Sequence, residues 1–474
     1  MNENKVNVIK EPEKDIPIVG EEDVIICGGG PAGICAALSS ARMGRKTLLI
    51  EHYGFLGGAN TAAGVSAIGG WQFERDGRPL IAGIPLEIMV KLAQIGGASP
   101  REVDYIGTKK EGEEIDVVLD DRLKGSGCYW VHTHPEYMKL LLDEMMEEAG
   151  VTILYHTDAV APIMEGKKIK GIIVENKSGR QAFLSKIVVD CTGDGDVAAR
   201  AGAMCREGRE KDGAIQPMTT MFLIANAAFK QKGYDDASKL SLQENRMESA
   251  VKLARDIGDI SINPNDILCS KPPIDHRHET TRAVNFTRIQ GMNGTDSHEL
   301  TSAEIIGRKQ VFEAVKFIKK YALGCKDAYL VSIPTQIGIR ESRRIIGEYY
   351  LTENDVINAA KFSDGIGRSI YRIDIHNPNE ISKPSVLNLL GEPYDIPYRC
   401  LVPLKIDNLL VAGRCVSGDE VALASFRIMA TCMLMGQAAG TAAALCITEK
   451  LTPRQIDVTL LRNQLKANGV NLGR

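Results

Sequence analysis

Residues 23–33, Asp-Val-Ile-Ile-Cys-Gly-Gly-Gly-Pro-Ala-Gly, decide the fold that the sequence predicts. They begin with a short β-branched run typical of a strand, and a helix-prone segment, Pro31–Met43, follows the glycines at once. The glycines have the G-x-G-x-x-G spacing, at Gly28, Gly30 and Gly33. In this spacing the first glycine permits a turn, the second lets a pyrophosphate approach the backbone, and the third lets the helix pack closely on the strand. The segment therefore predicts a dinucleotide site at a helix N-terminus.

A second apolar run, Lys46–Glu51, completes a strand–turn–helix–strand unit and ends in a carboxylate. An acid at this distance from the glycines accepts hydrogen bonds from the ribose hydroxyls of the adenosine half. It would repel a 2′-phosphate, so NADP is disfavoured. The motif alone does not distinguish NAD from FAD, because both cofactors use it.

The composition is that of a large folded protein. The chain has 474 residues, 44% of them hydrophobic, and a net charge of −4, so it can form a sizeable core and is neither polybasic nor acidic. A nucleic acid partner is therefore not expected. Glycine is in excess, with 46 residues against the ~33 that a usual ~7% would give. Many close backbone approaches are expected.

The cysteines and the N-terminus indicate a reducing compartment. Eleven cysteines include no CxxC or CxC pair, so structural zinc, iron–sulfur ligation and a redox dithiol lack support. The first 23 residues contain no positive region followed by an apolar segment, and we therefore expect a cytoplasmic protein without a secretory signal.

One segment could be taken for a membrane helix. Residues 428–447 are mostly apolar and contain Gly436-x-x-x-Gly440, a spacing that also occurs at transmembrane dimer faces. However, the apolar residues are largely Ala, Met and Cys, and Gln437 lies in the middle of the run. This composition favours a buried helix of a soluble domain.

The remaining patterns suggest an interrupted domain. Residues 1–20 form a charged arm without periodicity, and residues 206–394 contain long polar loops that predict a separate substrate lobe. The lobe would divide an α/β domain into residues 21–205 and 395–474. Further strands are predicted over Val151–Tyr155, Gly171–Glu175, Lys186–Cys191 and Asn408–Ala412. Further helices are predicted over 135–149, about 237–257, about 302–323 with a Thr301-x-x-Glu304 capping box, 422–447 and about 453–468.

Four blocks of the sequence resemble FAD-dependent oxidoreductases, the two-lobed flavoproteins related to fumarate reductase flavoprotein subunits and glutathione-reductase-type enzymes. Residues 23–33 are similar to the first adenine-binding strand and turn of these enzymes, and Gly54–Thr61 to their second glycine loop. Residues 188–196, Val-Val-Asp-Cys-Thr-Gly-Asp-Gly-Asp, resemble a strand and turn in which Ala is commoner than Cys191. Asn408–Arg414, followed by Gly418-Asp419, resembles the C-terminal element near the flavin ribitol or phosphates.

The resemblance implies a Rossmann-like FAD-binding domain, in which helices and a small antiparallel sheet flank a parallel sheet, with an inserted α+β substrate lobe. It also implies that the N-terminal region of helix 428–447 points toward the isoalloxazine, where its partial positive charge favours reduced, anionic flavin. The FAD-binding residues would be Gly28, Gly30, Pro31, Ala32, Gly33, Glu51, His52, Gly57, Gly58, Ala59, Thr61, Val160, Thr192, Gly193, Asp194, Gly413, Arg414, Asp419 and Gln437.

The best catalytic candidate is Arg340, in the basic cluster Gly338-Ile-Arg-Glu-Ser-Arg-Arg344. Arginine suits a bidentate carboxylate contact or a developing negative charge. Alternatively, Glu341 and Glu348 could pair with these arginines in structural ion pairs.

Other candidates are less specific. His132 and His134 could accept a substrate proton or could be capping and packing residues. Tyr398 could line the substrate cleft. Residues 275–279, Asp-His-Arg-His-Glu, could bind a metal, but the close spacing favours a solvated loop, and no metal is expected.

The predicted function is hydride transfer between a small organic substrate and flavin N5. The direction stays open between dehydrogenation and reduction of an activated double bond, as do the oligomeric state and the electron partner, which could be NADH or a redox protein. One alternative is an FAD-containing electron-transfer subunit that works with a partner redox protein. Another is a non-redox or NAD-binding relative of the same fold.

Overall fold

A computed structural model describes residues 9–74, 78–107, 129–228, 249–262, 268–270, 280–378, 385–387, 389 and 392–473. The strands are β1 Ile18–Cys27, β2 Thr47–Ile50, β3 Ala67–Trp71, β4 Tyr129–His132, β5 Thr152–Leu154, β6 Asp158–Glu165, β7 Lys168–Asn176, β8 Gly179–Asp190, β9 Cys205–Glu207, β10 Phe222–Ala225, β11 Leu268–Ser270, β12 Arg282–Asn285, β13 Tyr329–Ser332, β14 Arg343–Ile345, β15 Gly365–Ser369, β16 Ile373–Ile375, β17 Ser385–Leu387, β18 Tyr394–Pro397 and β19 Leu409–Val411.

The helices are α1 Pro31–Arg42, α2 Ile84–Gln94, α3 Pro100–Gly107, α4 Pro135–Glu148, α5 Asp196–Arg200, α6 with its described part at 249–256, α7 Ser297–Tyr321, α8 Glu353–Ile357, α9 Glu420–Phe426, α10 Met429–Glu449 and α11 Val458–Ala467. Short 3-10 turns occupy Tyr398–Leu401 and Pro453–Gln455.

The central sheet has seven strands in the described part of the chain. Strands β5, β2, β1 and β8 lie side by side and run parallel. The C-terminal half of β8 also pairs in parallel with β19, whereas its N-terminal half pairs with the antiparallel hairpin of β6 and β7. The predicted strand–turn–helix–strand unit and the Rossmann-like α/β class are confirmed.

The carboxyl ends of the parallel strands lie in register. The amide of Glu51 donates to Leu154 O at 3.0 Å, and that of Gly28 to Ile50 O at 2.8 Å. Cys191 N donates to Cys27 O at 2.8 Å, and Ala412 N to Asp190 O at 3.0 Å. Consequently, the loops that follow β2, β1, β8 and β19 all begin at one edge of the sheet, where ligands of such sheets bind.

Helix α10 packs directly on α1. An added Cβ at Gly436 would overlap Ala32 O, and one at Gly440 would overlap Ala36 O. The hydroxyls of Ser39 and Thr441 hydrogen bond across the contact at 2.7 Å. Helix α10 has a mean hydropathy of 1.4 over its most apolar stretch, of which 94% is buried inside the protein. The small residues therefore serve a helix contact within this chain.

A second apolar core lies in the middle of the chain, between the sheet β11–β12–β10–β13 and helices α6 and α7. Phe222, Val284 and Phe317 are buried in it. By contrast, Ile345 and Ile366 belong to the main core, although they fall within the predicted lobe 206–394. The division into residues 1–20, 21–205 with 395–474, and 206–394 stays a prediction.

Several predicted boundaries were wrong. Helix α7 begins at Ser297 because Asp296 caps it, accepting from the amides of His298 and Glu299, so the predicted start at 302 with a Thr301–Glu304 box is corrected. The carboxylate of Glu304 accepts instead from Ile337 N, at 2.6 Å.

The predicted helix 422–447 is two helices, α9 and α10, because Ile428 has an extended backbone. Strand β1 starts at Ile18, inside the predicted arm, and α11 begins at Val458 after a 3-10 turn. Residues 237–248 of the predicted helix 237–257 lie outside the described residues.

The α1–α10 contact predicts an overpacking penalty. We expect Gly436→Ala to lower the free energy of unfolding by about 1–3 kcal/mol, because the new methyl group must push α1 away. Urea unfolding followed by far-UV circular dichroism measures this. Gly107→Ala is the matched control, because the nearest described atom to its added Cβ is Leu86 Cδ1 at 4.0 Å. Equal midpoints for the two variants would refute the close contact.

Candidate functional site

The first two glycine blocks meet at the start of α1. Gly57 N donates to Gly29 O at 2.9 Å, and a Cβ added at Gly58 would lie 2.8 Å from Gly30 Cα. A Cβ added at Gly33 would overlap Gly28 O, so the close packing of α1 on this turn requires glycine at position 33. At Gly30, in contrast, the nearest described heavy atom to an added Cβ is Gly58 Cα at 3.9 Å. Open space therefore lies above the N-terminus of α1, where a pyrophosphate fits.

The carboxylate of Glu51 hydrogen bonds to backbone amides after β1 and after β2. Its side chain is 6% exposed, and its two oxygens accept from Gly29 N at 2.6 Å and Tyr53 N at 2.9 Å. Each carboxylate oxygen keeps further acceptor capacity, so ribose hydroxyls can bind as well. The neighbouring His52 is exposed.

Val160 lies at a bulge of β6, near the loop that follows β2. Thr157, three residues earlier, donates its amide to Glu51 O at 3.1 Å. Val160, the predicted adenine contact, and Glu51, the predicted ribose contact, therefore lie in neighbouring segments.

Buried Asp190 organises the turn Thr192–Asp194. Its Oδ1 accepts from Thr192 N at 3.0 Å and from Thr192 Oγ1 at 2.7 Å, and its Oδ2 accepts from Ala198 N at 2.8 Å. Burial raises the pKa of this carboxyl group against the effect of those hydrogen bonds. The turn passes through Gly193 with φ of 84°.

The third and fourth blocks are joined by an ion pair. Arg414 Nη2 lies 2.9 Å from Asp194 Oδ1, and Arg414 Nη1 donates to Ser342 Oγ at 2.8 Å. Ser342 in turn donates to Asp194 Oδ1 at 2.5 Å. A Cβ added at Gly413 would lie 3.1 Å from the Cβ of Ala32, which places this element beside the start of α1. Ser342 was not among the predicted residues.

Residues 336–343 run along the whole site. Gln336 N donates to Ala62 O at 3.0 Å, just after the second glycine loop, and Gly338 forms a bridge with Thr219. Further on, Arg343 Nε donates to Asp194 O at 2.9 Å. The segment therefore connects the second glycine loop with the Thr192–Asp194 turn, and Arg340 lies in its middle.

Arg340 differs from its neighbouring arginines in its partners. Its Nη1 donates to two neutral oxygens, Pro217 O at 2.7 Å and Thr219 Oγ1 at 2.6 Å. Glu341 instead pairs with Arg344 in a fully buried ion pair. Glu348 pairs with Arg454, and Arg343 pairs with Asp196. Of the structural ion pairs considered for the cluster, the one with Glu341 forms, with Arg344 as its partner, whereas Glu348 pairs outside the cluster.

Other charged residues face Arg340 from distant parts of the chain. Burial lowers the pKa of Arg340, as do Arg288 and Arg427, whereas Asp374 raises it. Arg427 Nη2 donates to Asp374 O at 3.0 Å. Spacing in the sequence carries no signal for this group, because its members come from four segments that only folding brings together.

His376 is the fifth member of this group. It hydrogen bonds through Nδ1 with Arg288 Nη1, and its Nε2 lies 3.7 Å from Asp374 Oδ1. Burial, followed by Arg340, lowers the pKa of His376 to about 3. The imidazole is therefore uncharged at neutral pH. We use the name arginine pocket for this cluster of five side chains, which are Arg288, Arg340, Asp374, His376 and Arg427.

The side chains of three predicted cofactor residues form hydrogen bonds with backbone groups. Asp419 caps α9, accepting from Ala422 N at 2.7 Å and from Glu353 N at 2.6 Å. Gln437 accepts from Ile84 N at 2.9 Å and donates to Asn468 O at 3.2 Å. Thr61 donates to Leu56 O at 2.7 Å and closes the second glycine loop, beside the half-buried Ala59. Their cofactor contacts stay predictions.

The other predicted catalytic residues also make structural contacts. His132 Nδ1 lies 3.0 Å from Glu102 Oε1. His134 caps α4, accepting from Glu136 N at 3.3 Å, and burial lowers its pKa. Tyr398 is 2% exposed, and its hydroxyl donates to Pro453 O at 2.9 Å. Its cleft-lining role stays a prediction. Residues 275–279 lie outside the described residues, within which no cluster of three metal-ligating side chains occurs.

One curated relative matches part of the chain. The chain is 28% identical over 182 residues to digeranylgeranylglycerophospholipid reductase of Methanoculleus marisnigri. That match covers 38% of this chain and only 41% of the relative.

Two solved structures are also similar. A geranylgeranyl bacteriochlorophyll reductase-like protein from Thermoplasma acidophilum is 13% identical with a TM-score of 0.44, over 94% of this chain and 83% of that one. For p-nitrophenol 4-monooxygenase from Pseudomonas putida, the identity is 10% and the TM-score 0.45, over 95% of this chain and 89% of that one.

A family model described as FAD dependent oxidoreductase matches residues 23–465, from within β1 into α11. The match includes all four glycine-containing blocks and the segment that carries Arg340. The chain belongs to the FAD dependent oxidoreductase family, and its cofactor is FAD.

Proposed function

We propose that this enzyme transfers a hydride between a small organic substrate and flavin N5, and that Arg340 contacts the reacting partner. The observation that carries the proposal is the path of residues 336–343, which connects two of the glycine-containing blocks and presents Arg340 between them. A cationic group in this position can orient an anionic substrate or stabilise charge that develops during transfer.

The four blocks would hold the cofactor through different groups. The amides at the N-terminus of α1 would bind the pyrophosphate above Gly30, and Glu51 would bind the ribose. Thr192–Asp194 and Gly413–Arg414 would hold the flavin half, because the ion pair between Asp194 and Arg414 joins them at the same edge of the sheet. Bound FAD supplies the hydride acceptor or donor, N5. The protein supplies orientation, charge and exclusion of water.

The proposal is tested by anaerobic spectroscopy of the purified protein. We expect a yellow protein whose flavin absorbance is bleached by one member of a panel of small alcohols, amines and organic acids, without a partner protein. Bleaching by NADH alone would indicate the reductive direction. A colourless protein that retains NAD would overturn the proposal, and reduction that requires a separate redox protein would favour an electron-transfer subunit.

Glu51 provides a prediction for cofactor retention. We expect Glu51→Gln to weaken FAD binding by about 10–100-fold, because hydrogen bonds from the ribose to a charged carboxylate, worth about 1.5–3 kcal/mol each, become neutral ones worth about 0.5–1.5 kcal/mol each. The single amide oxygen of Gln can still accept from Gly29 N, whereas the hydrogen bond from Tyr53 N is lost. Equilibrium dialysis against FAD measures the change.

The control for this variant is Glu165→Gln, since Glu165 is exposed at the far end of β6 and pairs with Lys170. It should leave FAD affinity unchanged. Equal affinities for the two variants would remove Glu51 from the cofactor site.

Arg340 provides a prediction for the reaction. We expect Arg340→Ala to retain the yellow colour and to slow anaerobic bleaching by about 100-fold or more, as when one preorganised charge donor is lost. Stopped-flow absorbance with the substrate found in the panel measures the rate. Arg308→Ala, on the exposed face of α7, is the control. A normal bleaching rate in Arg340→Ala would exclude a catalytic role.

A further inference from the structure

The arginine pocket joins side chains from four separate segments. Arg340 follows Gly338 by two residues, and Gly338 lies beside Ala63, because its added Cβ would be 3.8 Å from the Cβ of that residue. Arg427 stands at the break between α9 and α10, just before the helix that packs on α1. The pocket therefore lies between the end of the second glycine loop and the N-terminus of α10. This is a position next to the proposed cofactor site.

Among the five described residues of the arginine pocket, positive charges outnumber negative ones. Three of its five residues are arginines, and Asp374 is its single carboxylate; His376 is uncharged at neutral pH. Burial lowers the pKa of Arg340 most, and Arg288 and Arg427 lower it further as like charges. The same excess acts on His376, whose ring accepts a hydrogen bond from Arg288 and is disfavoured as a cation by Arg340. A positive potential in a partly buried site favours binding of an anion.

Arg340 also has donors available for such an anion. In the described part of the chain its hydrogen bonds use only Nη1, which leaves Nε and Nη2 along one edge of the guanidinium. Two parallel N–H donors on one edge match the two oxygens of a carboxylate. Pro217 O and Thr219 Oγ1 hold the opposite edge and so fix the direction of this fork.

We propose that the arginine pocket binds a carboxylate group of the substrate, with Arg340 as the bidentate donor and with Arg288 and Arg427 as additional determinants of specificity. The inference rests on the proposed function, because it names the substrate class for the same site. It predicts that the hydride-transfer substrate is a small organic acid, whose carboxylate would hold the molecule beside the cofactor.

The test uses the holoprotein and simple carboxylates as probes. Acetate, malonate and succinate are titrated while the flavin absorbance is recorded, and acetamide, malonamide and inorganic phosphate are titrated in parallel. Calorimetric titration with malonate gives a second readout that does not depend on flavin. We expect at least one carboxylate to bind and to perturb the flavin spectrum. Its amide should do neither, and phosphate should bind more weakly.

Variants identify the residues responsible. We expect Arg288→Gln and Arg427→Gln each to weaken carboxylate binding by about tenfold or more, since each removes a charged hydrogen-bond donor. FAD content and circular dichroism should match those of the unmodified protein. Arg308→Gln is the control. If a glutamine variant fails to fold, Arg427→Lys retains the charge and should still bind the carboxylate more weakly, because an ammonium lacks the planar fork.

The outcomes separate this inference from the proposed function. If a neutral compound bleaches the flavin while no carboxylate binds more tightly than its amide, the carboxylate subsite is wrong and the proposed function stands. If malonate binds in an arginine-dependent manner to a protein that carries no reducible flavin, the subsite stands and the proposed function fails. Tighter binding of phosphate than of every carboxylate overturns the inference.

Discussion

The site depends on how closely the backbone of α1 approaches its neighbours. Gly33 lets the helix lie against the turn at Gly28, and Gly436 and Gly440 let α10 pack against the carbonyl groups of Ala32 and Ala36. Any side chain at these positions would move the helix. Because the N-terminus of α1 presents free amides of the kind that bind phosphates, the same close packing determines where the proposed pyrophosphate site lies.

The parallel sheet positions the loops that surround the site. Hydrogen bonds between the ends of β5, β2, β1, β8 and β19 hold the loops that follow them at one edge. Asp190 and Glu51 use buried carboxylates to fix two of these loops through backbone amides. The Asp194–Arg414 pair then links the loops after β8 and β19. The buried carboxylates of Asp190 and Glu51 would be unfavourable without hydrogen-bond partners, and the backbone amides that they position are those partners.

Charge is distributed unevenly around this edge. Arg344 and Arg343 have carboxylate partners, and these pairs join strands and turns. Arg340 is bonded to neutral oxygens and stands near two further arginines. Arginines with carboxylate partners and an arginine bonded to neutral oxygens therefore occur within five residues of one another.

The sequence by itself determined the fold class and the order of the glycine blocks, because the spacing of glycines and β-branched residues acts through local geometry. The choice of FAD over NAD came from the resemblance to FAD-dependent oxidoreductases, since the glycine spacing is common to both cofactors. The sequence did not show that Asp419 and Gln437 hold helix ends, or that Asp296 caps α7 ahead of Thr301, because several residues could serve each purpose. Only the tertiary structure decided the composition of the arginine pocket. Its residues lie between positions 288 and 427, and electrostatic interactions between them become strong only when folding brings them together and excludes water.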